Sequence, residues 1–274
     1  MELNRQTWYI GKDMSVLLRW WRLASAWAAL RWSLIRVRQA LGVGEPRQWR
    51  VRPRRVRYAL TARLRGSSDM KVFWQIFTFD EYSVLRNLQG VSLVLDLGAN
   101  VGYSSAYFLS CFPGARVVAV EPDEQNVAVC RANLKPYGDR ALVLHGAVWS
   151  GTTSLSLSNG AAGDGNEWAR RVTQAPEGAA GKVQAWDVGT LIDKSGAKVV
   201  GLLKVDIEGT ELEVFGTGAS AWLTKIRNIC IELHGPDCEE AFFNALAGFD
   251  YDLEHSGELT ICRNMRPGDS SVRD

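Results

Sequence analysis

Residues 91–105, VSLVLDLGANVGYSS, constrain this chain more than any other segment. The apolar run Leu93 to Leu95 reads as a buried strand that ends in Asp96. Gly98, Asn100 and Gly102 follow, and then a helical run from Tyr103 to Cys111. Strand, glycine-bearing turn and helix is the arrangement that holds a nucleotide-like ligand at the carboxyl edge of a parallel sheet. Glycine permits the bend and lets backbone approach a ligand with no side chain between them.

The spacing separates one class of ligand from another. A dinucleotide turn needs glycine at three positions, and here the central one is Asn100. Asp96 also places a carboxylate where two phosphates would otherwise lie. A second apolar run, Arg116 to Glu121, ends 23 residues after Gly98. An acid at that strand tip is placed to accept hydrogen bonds from two ribose hydroxyls. S-adenosylmethionine carries an adenosine, a sulfonium and an amino acid but no phosphate, and it suits this pattern. A nicotinamide-dependent oxidoreductase is the competing reading, disfavoured by the missing glycine.

Strands alternate with helices through most of the chain, the pattern of a mostly parallel sheet covered on both faces. The periodicity predicts strands at 92–96, 116–121, 141–145, 200–206 and 228–233, with helices near 102–112, 123–134 and 209–216. Residues 251–255 and 258–262 flank Ser256-Gly257 and read as an antiparallel hairpin. The fold class is therefore α/β, a Rossmann-like seven-stranded sheet whose parallel strands are closed by a C-terminal hairpin. Residues 159–181 are rich in Gly and Ala and read as a loop, with Glu167 and Trp168 as an anchor or a cover for a ligand. Ser67, Ser68 and Asp69 read as a cap before a helix from Met70 to Phe77, and Asp80 as the cap of a second helix from Glu81 to Leu88.

A second dense patch, LLKVDIEGTE, spans residues 202–211. Asp206 falls at a strand's carboxyl edge, Glu208 and Gly209 form a turn, and Glu211 falls in the first helical turn. Surface capping suffices for Glu211; Asp206 and Glu208 read as functional. With DLGANVG at 96–102, EPD at 121–123, AVWS at 147–150 and IELH at 231–234, this patch resembles the FkbM family of S-adenosylmethionine-dependent methyltransferases. The resemblance covers roughly residues 67–263, and the Lys-x-Asp-x-Glu-Gly motif is its most specific part. It implies that Asp96, Gly98, Asn100 and Gly102 cradle the methionine end of the cofactor. It implies that Glu121, followed by Pro122, holds the ribose, that Asn126 supports that loop, that Ala147 and Val148 border the adenine, and that Asp206 faces the cofactor. Family members methylate hydroxyl oxygens, so the expected acceptor is a small molecule or carbohydrate hydroxyl.

Three side chains stand as candidate general bases for such a transfer: His234, Asp206 and Glu208. His234 is favoured, because an unperturbed imidazole titrates near ~6.5. The two carboxyls would need an upward shift, which crowding of like charges supplies. His145, just before the adenine loop, reads as structural. No metal is assigned, since two acids in one turn do not make a site.

The N-terminal 66 residues lie outside the resemblance. They carry fifteen Lys or Arg and three Asp or Glu, a net of +12, against −10 for residues 67–274. Domain boundaries are accordingly expected at 1–66 and 67–274. Residues 14–41 read as a helix with Leu17, Trp20, Trp21, Ala24, Trp27 and Ala28 on one face and Arg19 and Arg22 on the other. Two readings stand: peripheral membrane contact, or packing of the Trp face on protein. An Arg-rich transit peptide is a weaker third. The longest uncharged run there, Leu23 to Leu30, falls far short of the ~20 residues that cross a bilayer. Residues 47–58 read as a solvated basic segment. Nothing in them offers base-reading geometry, so a nucleic-acid partner is not expected. Five cysteines without a Cys-x-x-Cys pair point to buried thiols in a reducing, cytoplasmic compartment. A membrane-associated binding protein with a non-catalytic fold of this type is the remaining alternative.

Overall fold

A computed structural model describes residues 47–159, 170–174, 182–216 and 218–268. The expected helix at 14–41, its break at Gly42 to Pro46, and Glu167 and Trp168 lie outside the described residues. Contacts divide the chain into two units, residues 1–83 and 84–274.

In the first unit, β1 (Gln48–Val51) and β2 (Leu60–Arg63) form an antiparallel hairpin. Helix α1 (Asp69–Phe73) follows and runs on as a π-helical turn, Trp74–Thr78. Ser68 stands at the expected cap position without a side-chain bond. The Asp69 carboxylate, wholly buried, turns instead to Arg63, at 2.7 Å from both its backbone N and its Nη2. The second expected helix is a 3-10 segment, Glu81–Asn87.

The second unit holds the main sheet. Its strands, in chain order, are β3 (Leu93–Leu97), β4 (Arg116–Glu121), β5 (Ala141–His145), β10 (Leu202–Val205), β11 (Ile229–Glu232), β12 (Phe249–Ser256) and β13 (Leu259–Pro267). Helices α2 (Tyr103–Cys111) and α3 (Glu124–Leu134) connect the first three. The spatial order is β12-β13-β11-β10-β3-β4-β5. Neighbours from β11 to β5 run parallel, and β13 runs antiparallel between β11 and β12. This is the expected α/β architecture. Sequence order reverses between β3 and β10, the switch point where open α/β sheets bind ligands.

A strand buried on both faces has to be apolar almost throughout. β3 obeys this with Leu93, Val94, Leu95 and Leu97, each no more than 1% exposed. Its exception, Asp96, is equally buried and therefore needs a partner.

Between β5 and β10 lies a second, four-stranded sheet: β6 (Ala147–Val148), β7 (Thr153–Asn159), β8 (Arg170–Gln174) and β9 (Lys182–Trp186), in the order β6-β9-β7-β8. The loop read at 159–181 therefore contains a strand, β8, antiparallel to β7. Helix α4 (Val188–Ser195) leads back to β10 and is capped by Asp187, whose Oδ1 accepts from the Thr190 backbone N at 2.8 Å. Helices α5 (Glu211–Phe215), α6 (Ser220–Leu223) and α7 (Pro236–Ala245) complete the unit. Among the described residues, no helix is long and apolar enough to cross a membrane.

Candidate active site

The carboxyl ends of β3, β4, β10 and β11 bring the sequence-selected residues to one edge of the sheet. Register explains the first contact. Lys204 lies opposite Asp96 on the neighbouring strand, so the two side chains meet across the switch point. Lys204 Nζ is 3.3 Å from Asp96 Oδ1 and 3.7 Å from Asp206 Oδ2. It also donates to the carbonyls of Gly98 at 2.7 Å and Leu97 at 3.3 Å. Burial alone would lower the ammonium's pKa, but the charges of Asp96 and Asp206 hold it above the ordinary lysine value. The other carboxylate oxygen of Asp96 accepts from Ser104 Oγ at 2.6 Å and Ser105 Oγ at 2.5 Å, in the first turn of α2. Asp96 is thus enclosed by protein. Through these contacts it ties the turn to β10 and to the start of α2.

The glycines of the turn have close protein neighbours. A Cβ on Gly98, at φ +77°, would overlap the Asp206 carbonyl oxygen; one on Gly102, at φ +82°, would lie 2.9 Å from Cys130 Sγ. Both glycines let the turn approach the end of β10 and α3 closely. Gly98→Ala is expected to lower the unfolding free energy by about 3 kcal/mol, from positive φ and overlap together. Urea denaturation measures it, and a loss below about 1 kcal/mol would show that the turn yields.

Asn100 sits between them at φ +49°. Its backbone N donates to Glu121 Oε2 at 2.8 Å, which ties the first turn to the second strand tip. Glu121 Oε1 accepts from the Asp123 backbone N at 3.0 Å and Asn126 Nδ2 at 3.3 Å. Asn126 therefore helps to hold the acid in place. Burial pushes the Glu121 carboxyl up to about 7, against the opposing hydrogen bonds. The Pro122 carbonyl accepts from His145 Nε2 at 3.1 Å, a structural use of that imidazole. Ala147 and Val148 are 2% and 3% exposed and form β6, paired with Ala185 and Trp186.

The second group gathers beyond β10 and β11. Glu208 adopts φ +53°, a left-handed conformation that costs a residue with a Cβ about 1–2 kcal/mol. Burial first, and then the charge of Asp206, push its carboxyl up to about 7. His234 Nδ1 donates to Glu211 Oε1 at 2.9 Å, while Nε2 lies 3.6 Å from Glu208 Oε2 and 3.8 Å from Glu232 Oε1. Burial on its own would lower the imidazole. The hydrogen bond and charge of Glu211, with Glu208 and Asp206, outweigh it and hold His234 up at about 9. The ring is therefore a cation at neutral pH.

Glu211 corrects another expectation. It is wholly buried rather than a surface cap, and Oε1 also accepts from the Ile207 backbone N at 3.3 Å. Lys204, Glu211 and Glu232 were not selected as site residues. The signal for Glu232 was the ending Glu232-Leu-His234, which places an acid and an imidazole two apart, on one side of an extended chain. Asp206, Glu232 and His234 also present ligand atoms within 4.8 Å of one another.

The donor set discriminates between ligands. Asn100 Oδ1 is a buried acceptor with no hydrogen-bond partner in the structure. Glu121 and Asp206 add carboxylates, and the Lys204 ammonium is already engaged by four protein oxygens. An edge of acceptors suits hydroxyls and an ammonium, and suits a pyrophosphate badly.

The sequence matches the methyltransferase FkbM domain over residues 96–255, more than half of the chain. The chain belongs to the FkbM methyltransferase family. This FkbM chain is 30% identical over 181 residues to the 2-O-methyltransferase NoeI of Sinorhizobium fredii, covering 61% of this chain and 70% of that relative. It is 39% identical over 54 residues to the ribosomal RNA small subunit methyltransferase H of Corynebacterium diphtheriae; that match spans 20% of this chain and only 16% of the relative's length. Among solved structures, precorrin-6y C5,15-methyltransferase from Geobacter metallireducens aligns over 68% of this chain and 86% of its own, at 14% identity and a TM-score of 0.40. M. capricolum TrmK in complex with S-adenosyl-homocysteine aligns over 71% and 72%, at 11% identity and a TM-score of 0.41.

Proposed function

We propose that this chain transfers a methyl group from S-adenosylmethionine to a hydroxyl oxygen of a sugar, a polysaccharide precursor or a secondary metabolite. The observation that carries this reading is the group gathered beyond β10 and β11 of a chain in the FkbM methyltransferase family, where His234 Nε2 lies 3.6 Å from Glu208 Oε2 and 3.8 Å from Glu232 Oε1. When bound, S-adenosylmethionine supplies a methyl on a sulfonium that departs as a neutral thioether. The leaving side needs no acid, so the proton to be handled is the acceptor's own. Glu208 takes that proton on its carboxylate. Its raised pKa makes it a better base near neutral pH than an ordinary glutamate. His234, already protonated, serves as the adjacent cation that orients Glu208, which favours Glu208 over His234 as the base. Asn100, Glu121 and Asp206 would hold the cofactor, with Asn126 and Lys204 fixing their positions. NoeI is a 2-O-methyltransferase, which agrees with a hydroxyl acceptor.

Incubation of the full chain with S-adenosylmethionine and a panel of hydroxylated saccharides tests this, read as a mass gain of one CH2 per acceptor. Absence of transfer to oxygen, with methylation of a nitrogen or carbon acceptor instead, would overturn it. Cofactor identity is tested separately by thermal unfolding. S-adenosylhomocysteine at ~100 times its Kd is expected to stabilise by about 2.7 kcal/mol, and NADH is expected to do nothing. Glu121→Ala is expected to weaken S-adenosylhomocysteine at least about tenfold, the scale of a charged hydrogen bond. Unchanged affinity in calorimetry would remove the ribose role.

A further inference from the structure

Residues 47–65 hold eight arginines, no lysine and no acid. β1 alternates exposed and buried positions, so Trp49 and Val51 enter the core while Arg50 faces out. The sorting continues beyond the strand. Pro53 and Val56 are buried, and Arg47, Arg52, Arg54, Arg55 and Arg57 are exposed. The nearest following acid in sequence, Asp69, is wholly buried and bound by Arg63. Arg55 reaches Asp80 only at 4.0 Å, with half of its side chain in solvent. Arg50 faces out from the strand, Arg47 precedes it, and Arg52, Arg54, Arg55 and Arg57 are exposed in the irregular segment that follows, while the apolar residues between them are buried.

We propose that this exposed arginine-rich segment docks the protein on an anionic lipid surface. Guanidinium binds phosphate oxygens in a two-pronged geometry, which suits headgroup phosphates. The segment offers no exposed stacking platform for bases, because Trp49 is 2% exposed and Tyr58 is half-buried beneath Arg57. Directly upstream in sequence, residues 14–41 carry the Trp-rich helical pattern of an interfacial segment. Stable peripheral attachment takes two signals, an apolar one and a basic one. Here the two are consecutive.

The test is co-sedimentation of the full chain with phosphatidylcholine vesicles, with and without phosphatidylserine. Binding is expected to require phosphatidylserine and to weaken as salt rises. Changing Arg47, Arg50 and Arg52 together to Ser is expected to reduce affinity about fivefold per arginine, roughly 100-fold in all. Changing the same three to Lys is expected to retain most of it, because the charge is kept. These positions are exposed, so thermal unfolding of both variants is expected to match the parent. Equal sedimentation of the Ser variant and the parent would overturn the proposal. So would equal binding to neutral vesicles, or loss of binding in the Lys variant. Retention on RNA or duplex DNA while vesicles stay unbound would assign the segment to nucleic acid instead.

Discussion

Glu208→Gln is expected to lower kcat by about 10²–10⁴-fold, the range general-base catalysis supplies. S-adenosylhomocysteine affinity is expected to hold, because Glu208 lies beyond the cofactor turn. The sign of the pH dependence follows from the raised carboxyl. Only the deprotonated form accepts a proton, so parent activity is expected to rise with pH through about 7. Gln has no such titration, and the rising limb is expected to disappear in the variant. Rate–pH profiles of both proteins measure this. A variant that keeps the limb would move the base to another group. Glu208→Gly adds a structural control. At φ +53° glycine relieves a left-handed strain, so stability is expected to rise by about 1 kcal/mol while turnover falls. A residue that destabilises its own backbone position is explained by chemistry rather than by folding.

Lys204→Met is expected to cost about 3–5 kcal/mol of unfolding free energy, because it leaves Asp96 charged and enclosed without its ammonium. Methionine fills similar space, so the loss reports charge more than packing. The double change Lys204→Met with Asp96→Asn is expected to recover most of it, since the amide oxygen still accepts from Ser104 or Ser105. Urea unfolding of the full chain gives both values. Cofactor affinity is expected to remain weak in the double variant, because Lys204 also holds the Gly98 carbonyl at 2.7 Å. A single variant within about 1 kcal/mol of the parent would show that Asp96 is neutral or relaxed into water.

Much of this fold was legible because a parallel sheet buried on both faces writes itself as apolar runs. Val117 to Val120 and Ile229 to Ile231 could hardly be anything else, and those two strands lie within a residue of the ranges read, whereas the last strand runs five residues beyond the 262 read for its end. The small second sheet was not legible. Thr153–Asn159 alternates Leu with Ser, a weak strand signal, and its partners lie across a Gly- and Ala-rich stretch. Helices α4 and α7 were passed over although each had its mark, a capping Asp187 and a Pro236 at the first helical position. The hairpin of β1 and β2 was hidden for a different reason. Dense arginines read as solvated, and the alternating Trp49 and Val51 were outvoted by charge.

Local order decided the turn, the strand tips and the family, since each depends on residues a few positions apart. The amino acids alone were enough to name Asp96, Asn100, Glu121, Asp206, Glu208 and His234. The surroundings of those groups are set by neighbours far away in the chain. Lys204 reaches Asp96 across 107 intervening residues, enclosing the acid, and Glu211 turns the imidazole of His234 into a cation. Protonation is a property of the surrounding dielectric and charges, which exist only once the strands are side by side.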